Sequence, residues 1–442
     1  MLEVLNTLLW GSGTLALILG TGAWLTLRTG GFPQRNLGRA LTLSLGREAR
    51  RKGRGGVSPF GSLMTALAST VGTGNIVGVA AALVSGGPGA LVWMELAAFL
   101  GLAAKFAECM LAVKYRHVRQ DGTRWGGPMA VMEARLGAPG RWMGKLFAVF
   151  ALLMAFTMGA LAQSGALADT FSAAFTLPRW RVGLVTAALA LTILLGGIRR
   201  IADISTVLVP VMALLYLGGG LAVILRRLPE AVTLMLRCAV APEATLGGAL
   251  GIVTRREALR WGVARSVFSN EAGLGSAAIT AACADTDEPV KQGLISMTGV
   301  FFDTMVICTV TGLAICCSGT LGAADGNGHP LTGAALTLRA FETVLGPLAP
   351  WLIGVALGLF AFTSVLGCAV QAETTASYLL GPEAVRPCRV LYGLAVFAGA
   401  VIPMATVLQL ADLANALMAF PNLVCLLLLS GEIAGECRRK DR

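Results

Sequence analysis

Histidine is nearly missing from this chain: His117 and His329 are the only two in 442 residues. That leaves little from which to build a metal centre or a histidine-based nucleophilic site. Charge is also scarce. Asp, Glu, Lys and Arg make up 13% of the sequence, about half of the roughly 25% of an ordinary soluble domain. No stretch is polar enough for a soluble catalytic domain, and no phosphate-binding glycine loop occurs. Ten cysteines are scattered singly, apart from the adjacent Cys316 and Cys317 in an apolar run. Without CxxC or framework spacing they read as buried free thiols.

What the chain has instead is apolar length. Hydrophobic residues make up 55% of it, and runs near the ~20 residues that cross a bilayer recur throughout. The weak alternating segments of a β-barrel are absent. The fold class is therefore all-α and polytopic, one membrane domain over 1–442. Eleven crossings are expected near 8–28, 60–84, 89–113, 143–166, 181–197, 203–225, 247–281, 293–317, 350–379, 388–405 and 408–431, with 331–346 as an interfacial or re-entrant helix. The run 8–28 has no basic segment before it, so it reads as a retained helix and not a signal peptide.

The net charge of +11 follows from topology and implies no nucleic-acid partner. Arg28, Arg35, Arg39, Arg47, Arg50, Arg51, Lys52 and Arg54 share the first connection. Lys114, Arg116, Arg119, Arg124, Arg135, Arg141 and Lys145 follow the third run, and "RRKDR" ends the chain. Basic loops stay cytoplasmic, which places the N-terminus outside and the C-terminus inside. Arg226, Arg227 and Arg237 fall outside on this reading, so the rule holds in sum only.

Two apolar runs are interrupted. "ALASTVGTGNIVGVA", Ala66 to Ala80, holds Gly72, Gly74 and Gly78 with threonines and Asn75. "VFSNEAGLGSAA", Val267 to Ala278, places Asn270 and Glu271 beside Gly273 and Gly275. Unwound backbone at bilayer depth survives only where it lines a cavity or is buried in protein. Glycine alone could serve helix packing, but polar side chains in lipid are costly and mark function. The breaks stand five crossings apart. That is the layout of inverted-repeat membrane proteins, whose halves each open with a broken helix offering amides to an anion and carbonyls to a cation. The repeats would span 60–225 and 247–431, with 8–28 as an extra N-terminal helix.

At these residues the sequence resembles the alanine or glycine:cation symporter family of prokaryotic membranes. The resemblance is carried by "VGTGNIVGVAAALVSGGPGALVWM", "AKFAECMLAVKYR", "GGPM", "RWGVARSVFSNEAGLGSAAI", "DTDEPVKQGLISMTGVFFDT" and "ADLANALMAFPNLVCLLLLSG", in the family's order across about 60–431. It implies a LeuT-type five-plus-five fold in a cell membrane, with sodium as the transported ion and a small neutral amino acid as substrate. Carbonyls of Ala68 and Val71 with hydroxyls of Thr363 and Ser364 would hold sodium, a hard cation suited to oxygen donors. Amides of Thr73 and Gly74 would take the substrate carboxylate. Carbonyls near Thr70, Phe268 and Ser269 would receive its ammonium, with Phe268 covering the apolar side and Gly273 in the same substrate set. Gln163 matches a family glutamine near the substrate; an interhelical hydrogen bond is the other reading. A second cation site could use Asn75, Ser269 and Thr70.

The sequence departs from the family in "LGCAVQAE", where Cys368 stands in place of a bulky aromatic residue. If that position walls the pocket, Cys368 enlarges it and admits a larger neutral amino acid such as glutamine or serine. "GGPM" reads as a cytoplasmic loop, and Asp285, Asp287 and Glu288 as a solvated one. Glu271, Asp303 and Glu373 lie near membrane depth: one could be a proton site, or each a buried acid hydrogen-bonded across a break. Arg265 is expected in a cytoplasmic gate pair with an acid. Channel and intramembrane-enzyme readings need a continuous polar pore or a nucleophile–base pair, and neither pattern is present.

Overall fold

The computed structural model describes residues 9–52, 57–119, 122–233, 255–324 and 329–441. Arg54, Arg237, Arg442 and the 247–254 part of the seventh run lie outside them. Each of the eleven apolar runs forms helix. In chain order these are α1 (Ser12–Arg28), α2 (Pro59–Thr70), α3 (Val77–Gly86), α4 (Gly89–Lys114), α5 (Pro128–Met154), α6 (Gln163–Phe175), α7 (Arg179–Leu194), α8 (Gly197–Arg226), α9 (Arg255–Asn270), α10 (Ser276–Ala282), α11 (Pro289–Val300), α12 (Thr309–Ser318), α13 (Gly333–Leu345), α14 (Ala349–Leu380), α15 (Val385–Val401), α16 (Met404–Leu428) and α17 (Ser430–Asp441). π-Helical turns over Ala155–Ala162 and Phe301–Cys308 join α5 to α6 and α11 to α12. Such turns favour functional positions.

Among the described residues seven helices are long and apolar enough to cross a membrane, or eight if the bent pair α2–α3 counts as one span. The expected eleven is therefore a larger count than the structure supports by length. α1 has 17 residues, α7 has 16, and α9–α10 is interrupted. The fourth crossing starts earlier than expected, at Pro128, and is kinked at Gly137 (φ +61°) ahead of Pro139.

Both expected interruptions are present. α2 starts with Pro59 at its first position, and the Ser58 hydroxyl accepts the Gly61 amide at 3.0 Å, a standard helix start. It stops at Thr70, and the chain turns by 63° before α3. Between α9 and α10, Glu271 (φ +52°), Gly273 (φ +84°) and Gly275 (φ +86°) are left-handed, which no right-handed helix accommodates.

The two broken helices run antiparallel. The Asp285 amide donates to the Val57 carbonyl at 2.8 Å, and the Ser62 hydroxyl to the Thr280 carbonyl at 2.9 Å. Midway, Asn75 Nδ2 lies 3.1 Å from Ser269 Oγ. At the far end a Cβ on Gly86 would stand 3.1 Å from Trp261 Cβ. The breaks therefore meet at the centre of the bundle.

The basic loops gather at the end where Val57 meets Asp285. Arg124 pairs with Asp285, Lys114 with Glu432 and Glu436 at 2.7 Å each, and Lys440 with Glu288 at 2.9 Å. Asp285 is thus a buried ion-pair partner and not part of a solvated loop, whereas Asp287 is 90% exposed, as expected. "GGPM" is not a solvated loop either: Gly126 and Gly127 form a buried connection that leads into α5 at Pro128. Pro128, Met129, Ala130 and Val131 are buried, and a Cβ on Gly127 would come 2.9 Å from Ile279 Cγ1, so the motif packs on α10.

Candidate functional site

Three elements converge on Gly72. A Cβ there would fall 2.7 Å from Ser364 Oγ on α14 and 3.3 Å from Gln163 Nε2 at the start of α6. Only glycine lets the unwound strand pass so close to both. Gln163 Oε1 accepts from the Thr73 hydroxyl at 3.3 Å. Ser364 Oγ donates to its own helix at Phe360 O (2.9 Å) and lies 3.5 Å from the Val71 carbonyl. On the opposite wall the Phe268 ring lies against Gly74, 3.5 Å from where a Cβ would be.

A cavity of about 370 Å³ opens from this point, lined among others by Thr73, Gly74, Val77, Phe268, Arg265 and Asp412. It is mostly apolar with a few polar groups, the usual constitution of a small-molecule site. Arg265 lies over the Phe268 and Trp261 rings at 5.4 and 5.5 Å. Because α9 runs antiparallel to α2, Arg265 sits on the side of the break away from the basic loops. The expected gate pair beside the basic loops is corrected accordingly: Arg265 and the acids that share its cavity, Asp169 and Asp412, lie at the opposite end.

Behind the cavity the two breaks are tied by Asp303, carried on the π-helical turn after α11. Asn75 Nδ2 donates to Asp303 Oδ1 at 2.8 Å, and Ser269 Oγ to Oδ2 at 2.6 Å. Thr304 adds a bond to Oδ2 at 3.0 Å, and Asn75 Oδ1 accepts the Gly72 amide at 3.0 Å. All of Asp303, Asn75 and Ser269 are buried. Of the three acids considered, Asp303 links the two breaks and Glu271 is hydrogen-bonded across the second one. Glu271 accepts from Ser276, and Glu373 forms a two-armed pair with Arg389, both contacts 2.8 Å, near the basic end.

Several expected site residues make contacts other than those expected of them. The Thr70 hydroxyl turns back to Ala66 O at 3.2 Å, so the Asn75–Ser269 pair is completed by Asp303 and not by Thr70. The Thr363 hydroxyl donates to Leu359 O (2.9 Å) and faces Met212 Sδ on α8 (3.3 Å). Ala68 is fully buried in the last turn of α2. Gly273 faces α16: its carbonyl takes Asn422 Nδ2 at 2.9 Å, and a Cβ would meet Leu423 at 2.9 Å. Cys368 is not part of the cavity wall. It packs against Gly159, where a Cβ would stand 2.9 Å from Cys368 Sγ and 2.8 Å from the Tyr392 hydroxyl. The sequence reading also passed over Lys105 and Glu108 within "AKFAEC"; the signal was two opposite charges three residues apart in an apolar helix.

Among the described residues no three His, Cys, Asp or Glu side chains are grouped as a metal site. The acceptors that converge here are carbonyl, hydroxyl and amide oxygens, a set suited to a hard monovalent cation and to a zwitterion.

Comparison with known proteins agrees with this layout. The chain is similar to the crystal structure of MhsT in complex with L-phenylalanine, with a TM-score of 0.58 over 84% of this chain and 88% of that one at 14% identity, a likeness of fold. It is 40% identical to the sodium/alanine symporter AgcS of Methanococcus maripaludis, over 99% of this chain and 96% of the relative. It is 37% identical to the probable sodium/glutamine symporter GlnT of Bacillus subtilis, over 97% and 87% respectively. The model of the sodium:alanine symporter family matches residues 1–439. This multi-pass membrane protein belongs to the sodium:alanine symporter family.

Proposed function

We propose that the protein carries a small neutral amino acid, alanine or glycine in type, into the cell together with sodium by alternating access. The observation that carries this reading is the convergence at Gly72 of the broken helix, Gln163 and Ser364, directly beside Thr73 and Gly74, which line the 370 Å³ cavity. Amides of Thr73 and Gly74 take the carboxylate, Gln163 fixes Thr73, and Phe268 covers the side chain. Carbonyls of Ala68 and Val71 with the Ser364 and Thr363 hydroxyls hold sodium. Ser364 already stands beside Val71 O; Thr363 joins by rotating away from Met212. Sodium then draws α14 onto the break and orders the amides that receive the substrate, so each ligand strengthens the other by the same factor.

The antiparallel broken helices support a two-repeat architecture over 60–225 and 247–431, in which one bundle rocks against the other. The basic loops at one end support an outside N-terminus and a cytoplasmic C-terminus, so the cavity faces outward. A larger neutral amino acid such as glutamine or serine is the second reading, favoured by a cavity that exceeds the size of alanine. A proton-coupled variant is favoured by the buried carboxyl of Asp303.

Proteoliposomes test these readings together. Radiolabelled alanine, glycine and glutamine are offered under an imposed sodium gradient, and separately under a pH gradient alone. Sodium-driven accumulation of alanine or glycine is expected. Uptake driven only by protons would replace the ion, and uptake of glutamine alone would replace the substrate. No gradient-dependent uptake of any of the three would overturn the proposal.

A further inference from the structure

The second break leaves backbone groups without helical partners at membrane depth, and side chains from other helices take them. Lys105 Nζ donates to the Glu271 carbonyl at 3.0 Å. Glu108 Oε2 accepts from the Gly275 amide at 3.1 Å. The two charges lie one turn apart on α4, 3.3 Å from each other, with side chains 3% and 0% exposed. A neutral third member, Asn422 of α16, donates to the Gly273 carbonyl at 2.9 Å and to Glu108 Oε2 at 3.1 Å. The first break is held differently, its Gly72 amide being taken by Asn75 from its own loop at 3.0 Å.

Burying an ion pair is a poor route to stability, since an apolar pair of similar volume often does as well; its best-attested use is to fix register. The polarity here suits that use. Among backbone groups an ammonium can donate only to a carbonyl, and a carboxylate can accept only from an N–H. A loop slipped along α4 would lose both of these contacts at once. Close packing on α4 flanks the pair: a Cβ on Gly101 would stand 3.0 Å from Ala272 Cβ.

We infer that Lys105 and Glu108, with Asn422, are positioning residues that set the register of the second break against α4 and so place Phe268 and Ser269 opposite Gly74 and Asn75. The inference rests on the reading that the two breaks together form the transport site.

Hydrogen–deuterium exchange on the purified full chain, paired with uptake, tests it. The variants are the double substitution Lys105→Met with Glu108→Gln, which leaves no lone charge, and Asn422→Ala, which removes no charge and covers the case in which the double variant does not fold. Amides of 272–276 should exchange at least about tenfold faster in either variant, while those of 77–86 change less than twofold. Half-saturating amino acid should rise about tenfold with half-saturating sodium moved less than twofold, because the sodium ligands lie on the first break and on α14. Unchanged exchange at 272–276, or an unchanged amino acid requirement with faster exchange, would overturn the inference. The exchange arm needs no transport. A wild type that moved no amino acid would therefore count against the transport reading while exchange still decides this one.

Discussion

Asn75 Nδ2 and Asp303 Oδ1 are 2.8 Å apart, and through that contact the first break is fastened to a carboxylate that also holds Ser269 of the second helix. Removing Asn75 strips Asp303 of a donor and orphans the Gly72 amide in the same step. Each buried polar group left unpaired costs about 1–3 kcal/mol. Asn75→Ala should therefore lower the melting temperature of the purified protein and reduce maximal uptake by about tenfold or more. Wild-type values for both would show that the tie is incidental.

Gly72 and Ser364 form a second testable pair. A methyl group at 72 would sit 2.7 Å from Ser364 Oγ, closer than van der Waals contact, so Gly72→Ala should abolish uptake. Combining it with Ser364→Gly removes the clashing hydroxymethyl and should restore measurable uptake at a higher sodium requirement. Ser364→Ala alone should raise half-saturating sodium about tenfold. An unchanged sodium dependence would remove Ser364 from the ion site.

The breaks were legible in sequence because glycines and polar side chains in an apolar run have few structural explanations. Their partners were not. Asp303 meets a residue 228 positions away and Lys105 one 166 away, and neither pairing leaves a local pattern. The direction of Cys368 was equally hidden. α14 is buried on nearly every face between Ile353 and Ala376, so its sequence carries no apolar stripe from which a rotational phase could be read. The same holds for "GGPM", whose glycines mark a close approach to α10 and not a solvated turn. Arg265 was placed with the basic loops although the alternation of crossings already starts the seventh run at the other end; the antiparallel contact of α9 with α2 agrees with that alternation.

Acid should loosen the C-terminal helix. Burial pushes the Glu432 carboxyl up, but hydrogen bonds from Lys114 and Tyr115 and the charges of Lys114 and Arg135 outweigh it and hold the group below its usual value. A depressed carboxylate stabilises the fold fully above its unfolded pKa, about 4.3, and that stability is lost as pH falls through the lower folded value. Glu432→Gln should therefore melt below wild type at pH 7, with the gap closing as pH drops below about 4.3. A gap independent of pH would mean that the pairs with Lys114 and Arg135 contribute nothing through charge.

Cys368 separates two accounts of substrate size. If the position walled the pocket, restoring an indole there would narrow selectivity toward alanine and glycine without harming the fold. The structure points the other way. Cys368 is 1% exposed and packs on Gly159 and Tyr392, whose hydroxyl is committed to Val365 O at 2.9 Å, and no open space adjoins it on that side. Overpacking of this kind costs about 1–3 kcal/mol. Cys368→Trp should therefore lower the melting temperature and the yield of folded protein, while the ratio of alanine to glutamine uptake per folded molecule stays within about twofold, well inside what a pocket methylene would change. Cys368→Ala should leave both nearly unchanged. Narrowed selectivity at an unchanged melting temperature would instead return Cys368 to the pocket wall and require α14 to rotate when substrate binds.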